Sequence, residues 1–124
     1  MKLSLPFYTN ALFSSACALL MLLLPAQVGG WLGWRHDGLF VALGVALLGF
    51  AGALCWIAAQ LPGRRKWAGL ATAADAGWVL GTPLVLVLFG ELFSAAGVVL
   101  LWLVAAAVAA LGAAQWWVMR GQPA

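Results

Sequence analysis

Residues 38–60 read GLFVALGVALLGFAGALCWIAAQ, a run that contains no charged side chain. A helix needs about 20 apolar residues to cross the hydrocarbon core of a membrane. This run is apolar on every side of a helix, whereas a helix at the surface of a soluble protein carries one polar face. We therefore predict that residues 38–60 form a transmembrane helix.

Three further runs of the same character complete the predicted topology. We expect the other transmembrane helices at residues 7–28, 67–89 and 93–119. The loops between the four predicted helices are short, so consecutive helices should be antiparallel neighbours. The sequence thus predicts an all-α integral membrane four-helix bundle that forms a single transmembrane domain over residues 1–124.

The composition of the whole chain supports a membrane protein. Hydrophobic residues make up 66% of the 124 residues and charged residues only 7%, whereas a soluble domain carries about 25% charged residues. Because charged side chains keep a soluble surface hydrated, lipid must cover most of this one. The net charge of +3 does not indicate nucleic-acid binding, since the basic residues flank apolar runs and do not cover a face.

The first apolar run follows a short basic start, a pattern that also occurs in cleavable signal peptides. Residues 25–30, Pro-Ala-Gln-Val-Gly-Gly, are a poor match to a cleavage site. We therefore expect this segment to remain in the protein as its first transmembrane helix.

The distribution of lysine and arginine predicts the orientation in the membrane. Lys2, residues 64–66 (Arg-Arg-Lys) and Arg120 fall on one side of a four-helix path, and Arg35 alone falls on the other. Loops rich in lysine and arginine stay in the cytoplasm. We predict a multi-pass protein of the bacterial inner membrane with both termini in the cytoplasm.

Asp75 is the one acidic side chain inside the predicted spans, and it is the main candidate for a functional residue. It lies nine residues past Lys66, or about 13 Å along the helix. An isolated carboxylate at such a depth costs about 2.5–3.5 kcal/mol. It must therefore be protonated, hydrogen-bonded, paired with a cation or reached by water.

Uncharged polar side chains at a similar depth complete the candidate site. In one interpretation they hold Asp75 in a satisfied hydrogen-bond network that fixes the helix register. In the other they line a cytoplasm-facing pocket for a ligand or a proton, with an aromatic wall one turn from the acid. The candidate residues are Asn10, Ser14, Thr72, Asp75, Trp78 and Gln115.

No sequence pattern indicates a catalytic site, a metal or a cofactor. His36 is the only histidine, and no cluster of cysteines or carboxylates accompanies it to bind zinc. Cys17 and Cys55 lie in separate apolar runs and form no CxxC pair of the kind that thiol oxidoreductases use. We expect neither a metal nor a cofactor.

Small residues recur every four positions in three predicted helices, a spacing that lets transmembrane helices approach closely. We expect these ladders to pack within the chain, with contact to another subunit as the alternative. Pro83 should bend the outer third of its helix. The ladders are Gly49 and Ala53; Gly69, Ala73, Gly77 and Gly81; and Ala106, Ala110 and Ala114.

A set of short polar and proline motifs is spread along the chain: Asn10, Ser14, Pro25, Asp75 with Trp78 (Asp-Ala-Gly-Trp), and Gln115. In these residues the chain resembles a group of small, uncharacterised four-helix bacterial membrane proteins. The resemblance covers the whole chain and implies the topology and the polar positions, not an activity. The small multidrug resistance transporters match in length and helix count, but that family has an acid in its first helix and this chain has none there.

Three functions are compatible with these features. The first is a non-enzymatic accessory or assembly subunit of a membrane complex, which fits the small size, the short loops and the ladders. The second is a small transporter or binding protein that uses Asp75 as a ligand or proton site. The third is a lipid- or quinone-modifying enzyme, which we rank last because the sequence offers only one buried titratable group for acid–base catalysis. The expected partners are the lipid bilayer and other membrane subunits or further copies of the chain.

Overall fold

The computed structural model describes residues 3–34, 37–61 and 63–121, which are helical almost throughout. Lys2, Arg35 and His36, named above, lie outside the described residues. The described part of the chain contains no β-strand, which confirms the all-α prediction. The helices are α1 (Leu5–Leu23), α2 (Pro25–Leu32), α3 (Asp37–Ala59), α4 (Arg65–Phe89) and α5 (Ala95–Arg120), and a short 3-10 turn (Gly90–Leu92) follows α4.

Four of these helices, α1, α3, α4 and α5, are long and apolar enough to cross a membrane. Their apolar windows have mean hydropathies between 1.4 and 2.4. Large apolar side chains point outward, for example Leu12 at 73% exposure and Val87 at 82%. The structure therefore has the properties of a multi-pass membrane protein, as the sequence predicts.

The first predicted helix, residues 7–28, is divided in two. α1 ends at Leu23 and α2 begins at Pro25. Proline lacks a backbone N–H and its ring clashes with the preceding turn, so it is favoured at the first position of a new helix. Leu24 leaves the helical conformation, with φ −132° and ψ 51°. The prediction of one continuous helix was wrong at this point, whereas α4 continues through Pro83.

α1 packs along α3, which runs in the opposite direction. Near the end of α1, Gly44 of α3 lies so close that an added β-carbon would be 2.8 Å from the Leu22 side chain. Near its start, Phe7 is buried in one cluster with Leu54 and Ile57 of α3. We call the end of the molecule with the starts of α1 and α4 the basal end, and the opposite end the α2 end.

α4 packs along α5. The buried residues of α5 include Ala105, Val108, Gly112 and Gln115, which recur at helical spacing. Gly112 faces Asp75, and a β-carbon added to Gly112 would lie 3.4 Å from the Asp75 β-carbon. The absence of a side chain at Gly112 therefore lets α5 approach the buried acid.

The predicted glycine ladder of α4 is not its packing face. A β-carbon at Gly69, Gly77 or Gly81 would meet nothing within 4 Å. α4 instead buries the opposite side, which includes Asp75 and Thr82. Removing a carboxylate from lipid saves about 2.5–3.5 kcal/mol, which outweighs the closer packing that the ladder would allow. The expectation that the ladder packs within the chain was therefore wrong.

The pair α1–α3 and the pair α4–α5 meet at both ends of the molecule. At the basal end, Phe7, Ala58, Ala68 and Met119 share one buried cluster. At the α2 end, α2 contacts the start of α5 through hydrogen bonds described below. Between these two contacts the helix pairs diverge around a cleft.

The contact at the α2 end combines hydrogen bonds to backbone carbonyls with apolar packing of Phe93 and Leu101 against the buried cluster that contains Leu32. The Ser94 backbone N–H donates to the Leu32 carbonyl at 2.9 Å, and the Ser94 hydroxyl donates to the Trp31 carbonyl at 3.2 Å. The same hydroxyl caps α5 by accepting from the Gly97 N–H at 3.0 Å. Gly33, with φ 78°, ends α2 in the left-handed conformation that glycine tolerates.

Candidate functional site

The cleft between the helix pairs has a volume of about 740 Å³. That lies within the range of about 300–1,000 Å³ that is typical of ligand pockets. Along α4 its lining extends from Ala74 to Val85, about 16 Å at the helical rise. The cleft is therefore long enough for an elongated molecule that lies along the helices.

Most of the cleft wall is apolar and comes from all the long helices. Trp31 and Trp78 belong to the lining and are also 47% and 37% exposed, so the cleft is open to its surroundings. The apolar lining includes Phe13, Leu20 and Met21 of α1, Phe40, Leu43, Leu47 and Phe50 of α3, Val85 of α4, and Leu101, Val104 and Val108 of α5.

The polar lining is concentrated toward the basal end of the cleft. Asn10, Ser14 and Asp75 reach the wall there, and all three are at least 95% buried. Thr82 also lines the cleft, but its hydroxyl donates to the Trp78 carbonyl of its own helix at 3.0 Å. An apolar cleft therefore ends on a small polar wall.

Asn10, Asp75 and Gln115 form a closed triangle of hydrogen bonds between α1, α4 and α5. Asn10 Nδ2 donates to Asp75 Oδ2 at 2.9 Å and to Gln115 Oε1 at 2.7 Å. Gln115 Nε2 donates to the same Asp75 oxygen at 3.0 Å. The two hydrogen bonds to Asp75 Oδ2 replace part of the hydration that the carboxyl group loses on burial.

Two hydroxyl groups extend this network. Ser14 Oγ donates to Asn10 Oδ1 at 3.2 Å, which fixes the orientation of the Asn10 amide. Gln115 Nε2 also donates to Thr72 Oγ1 at 3.1 Å, and Thr72 in turn donates to the Ala68 carbonyl at 3.0 Å. Each amide hydrogen of Asn10 and Gln115 therefore has an acceptor.

The second oxygen of the Asp75 carboxyl has a different environment. Both hydrogen bonds that Asp75 accepts reach Oδ2, and no described residue donates to Oδ1. Within the described part of the chain, no enclosed side-chain oxygen or nitrogen lacks a partner. Oδ1 is therefore not enclosed, and the Asp75 side chain to which it belongs lines the cleft.

The structure brings five of the six predicted site residues together. Asn10, Ser14, Thr72, Asp75 and Gln115 form one network, and Trp78 lines the cleft without a hydrogen bond to Asp75 among the described contacts. The sequence analysis did not identify Gly112, whose contact with Asp75 depends on the register of α5. Its position three residues before Gln115 places both on one helix face, a signal that was available.

Replacing Gln115 by leucine should destabilise the protein by about 2 kcal/mol. Leucine has a similar volume, but it leaves a hydrogen of Asn10 unpaired and removes one donor from Asp75, and unsatisfied buried groups cost about 1–3 kcal/mol. Unfolding in mixed detergent micelles measures the change. Gln60→Leu is the matched control, because Gln60 is exposed and should cost less than about 0.5 kcal/mol. Equal effects of the two substitutions would contradict a stabilising network.

Arginine–tryptophan contacts cover the basal end. The Arg64 guanidinium lies 3.6 Å from the Trp56 ring centroid and also donates to the Trp56 carbonyl. Trp56 meets Trp67 edge to face at 6.0 Å. Arg120 lies 4.7 Å from the Trp117 ring centroid. These contacts give Trp56, three residues before the end of α3, a packing role beside the loop.

The described residues offer no metal site and no disulfide. No group of three or more His, Cys, Asp or Glu residues is close enough there to hold a metal ion. Cys17 and Cys55 are free thiols.

We compared the chain with known protein families, proteins and structures. No protein-family model matches the chain, and no curated protein and no solved structure is detectably similar to it. The functional proposal therefore depends on the cleft and its polar end.

Proposed function

We propose that this chain is a membrane protein that binds an elongated, largely apolar small molecule in the cleft, with the polar end of the ligand at Asp75. One observation carries the proposal: Asp75, only 5% exposed, lines an apolar cleft of about 740 Å³ and has one carboxyl oxygen that accepts no hydrogen bond from the described residues. Ionisable groups inside a membrane protein commonly mark ligand or ion sites.

A purely structural role for the network does not account for the cleft. Asn10 and Gln115 already satisfy Oδ2, and a network that only fixed helix register would satisfy Oδ1 as well. Packing alone would also close the space, because unfilled volume between helices sacrifices dispersion contacts. A ligand that fills the cleft and reaches Oδ1 would supply both the dispersion contacts and the hydrogen bond to Oδ1.

The cleft can receive its ligand from the bilayer. Trp31 and Trp78 line it and are partly exposed, so a lipophilic molecule would not have to pass through water or through a closed helix contact. The apolar walls would hold the tail by burial, worth about 25 cal/mol per Å². The polar wall would fix the position of the headgroup.

Native mass spectrometry of the protein, extracted from its own membranes in a gentle detergent, tests this proposal. We expect one retained lipophilic molecule per chain, because the cleft has the volume of one ligand site. A chain that carries no retained molecule, even at the lowest activation energies, would count against a ligand-binding role.

The second candidate function, an accessory or assembly subunit, is favoured by the outward face of α4. Gly69 and Ala73 of the ladder are exposed and do not line the cleft, and small residues support close helix contacts in membranes. The same spectrum distinguishes the two functions. A stoichiometric protein partner that is lost on Gly69→Leu would support the subunit role, and a monomer would oppose it.

We further propose that the protein is a four-helix bundle in a bacterial inner membrane with both termini in the cytoplasm. Arg65 and Lys66 begin α4 and Arg120 ends α5, all at the basal end, whereas Asp37 and Glu91 lie at the α2 end. This asymmetry supports a cytoplasmic basal end. A reporter active only outside the cytoplasm should be silent at the C-terminus and active in the loop before α3. The reverse pattern would show that the orientation is opposite to the one proposed.

The resemblance that the sequence suggests, to small four-helix bacterial membrane proteins, involves residues of the same site. Asn10, Asp75 and Gln115 carry part of that resemblance, and they are the three residues that the hydrogen-bond triangle joins. We propose that those proteins share this polar wall.

A further inference from the structure

We infer that the ligand carries a protonated amine at its polar end, so that the cleft selects long-chain amines over uncharged and anionic amphiphiles. This inference depends on the proposed binding function and specifies the chemical class of the ligand. At the basal end of the cleft, some polar atoms already have hydrogen-bond partners within the protein and others do not. The atoms without partners determine which headgroup can bind.

The amide donors next to the cleft are all in use. The two hydrogens of Asn10 Nδ2 go to Asp75 Oδ2 and Gln115 Oε1. The two hydrogens of Gln115 Nε2 go to Asp75 Oδ2 and Thr72 Oγ1. A primary amide has only two donor hydrogens, so neither side chain has one left for a ligand.

The hydroxyl donors are committed as well. Ser14 donates to Asn10 Oδ1, Thr72 donates to the Ala68 carbonyl, and Thr82 donates to the Trp78 carbonyl. A hydroxyl carries one hydrogen and two lone pairs. Ser14 can therefore offer a ligand only an acceptor while its bond to Asn10 persists.

The polar wall thus presents acceptors to the cleft. Asp75 Oδ1 accepts no hydrogen bond from the described residues, and Ser14 Oγ retains lone pairs. The other donors of the lining are the Cys17 thiol, which is weak, and the tryptophan N–H groups, of which that of Trp78 belongs to the next turn of α4. A headgroup that only accepts hydrogen bonds, such as an ester or a ketone, therefore finds no uncommitted donor on Asn10, Ser14 or Gln115.

Charge favours an ammonium group over a neutral hydroxyl. The groups packed against Asp75 from α1 and α5 are Asn10, Gln115 and Gly112, and none of them carries a charge. A carboxylate in a medium of low dielectric constant attracts a cation much more strongly than it would in water. An ammonium group also supplies the donor that Oδ1 lacks, whereas a phosphate or carboxylate headgroup would be repelled.

Thermal unfolding of the full chain in an uncharged detergent tests this inference. The probes are dodecylamine, dodecanol and methyl dodecanoate, which share a chain of similar length and differ in headgroup. A ligand that binds only the folded protein raises its melting temperature, and the increase grows with the logarithm of ligand concentration over Kd. We expect the largest increase with dodecylamine, a smaller one with dodecanol and the smallest with methyl dodecanoate.

Asp75→Asn provides the decisive variant, because an asparagine can retain the two bonds from Asn10 and Gln115 and place its own amide N–H toward the cleft. We expect it to bind dodecylamine about 30-fold more weakly, with no loss for methyl dodecanoate. Glu91→Gln removes the same charge from the turn at the α2 end and should bind dodecylamine as the wild type does. This control distinguishes binding of dodecylamine at Asp75 from a non-specific effect of the amine on the detergent micelle.

The outcomes distinguish the inference from the function on which it depends. If methyl dodecanoate or dodecanol stabilises the wild type as well as dodecylamine does, the cleft binds amphiphiles and the inferred amine is wrong. The inference also fails if Asp75→Asn keeps its response to dodecylamine. If no probe stabilises the wild type, the proposed binding function itself fails. The wild-type probe series remains decisive even if Asp75→Asn does not fold.

Discussion

Replacing Gly97 by alanine is expected to destabilise the protein by about 3 kcal/mol. An added β-carbon would collide with the Leu32 carbonyl oxygen and lie 2.8 Å from the Leu32 Cα. These are backbone atoms, so no rotation of a side chain can relieve the collision. Overpacking of this kind costs about 1–3 kcal/mol, and loss of the Ser94 bond to Leu32 adds about 1 kcal/mol.

Gly52→Ala is the matched control for this prediction. Gly52 lies inside α3, and a β-carbon there would meet nothing within 4 Å. Because glycine weakens a helix interior by about 0.5–1 kcal/mol relative to alanine, this substitution should stabilise the protein slightly. Detergent-induced unfolding of both variants gives the comparison. A Gly97→Ala protein as stable as Gly52→Ala would show that α2 does not pack against α5 as described.

Hydropathy was sufficient to predict the four long helices, because a membrane span requires a long apolar run whatever its neighbours are. The break at Leu24 was missed because proline is compatible both with a kinked helix and with the start of a new one. Pro25 begins α2, whereas α4 continues through Pro83. Local sequence alone does not distinguish these two positions.

The packing faces were harder to predict than the helices. The ladder from Gly69 to Gly81 has the spacing of a helix contact, yet a β-carbon at either residue would meet nothing within 4 Å. Small residues permit close packing, but a carboxylate in an apolar segment must be shielded from lipid, and the buried residues of α4 include Asp75 and none of the ladder. The position of Asp75 was therefore the stronger indicator of the inward face.

The candidate site was predictable in membership but not in geometry. Residue type and depth brought Asn10, Thr72, Asp75 and Gln115 together, because polar groups in an apolar segment must find one another. The direction of each hydrogen bond depends on the register of three helices, which the sequence does not specify. The exposed Asp75 oxygen and the acceptor character of the wall follow only from those directions.

Gly81→Leu is expected to remove the ligand from the cleft. Gly81 lines the cleft, and a β-carbon there has no neighbour within 4 Å, so a leucine side chain can occupy the space without disturbing the fold. It lies six residues past Asp75, about 9 Å toward the α2 end, where the tail of a ligand bound at Asp75 would pass. We expect at least about a tenfold loss of affinity, which corresponds to about 1.4 kcal/mol of lost tail burial.

Gly69→Leu is the control for this substitution. Gly69 belongs to the same ladder, is equally free of neighbours and does not line the cleft. Native mass spectrometry of the wild type and both variants, extracted from the same membranes, shows whether the ligand binds in the cleft. We expect a retained lipophilic molecule in the wild type and Gly69→Leu, and its loss from Gly81→Leu. Equal retention by all three proteins would show that the molecule binds elsewhere and would contradict a ligand site in the cleft.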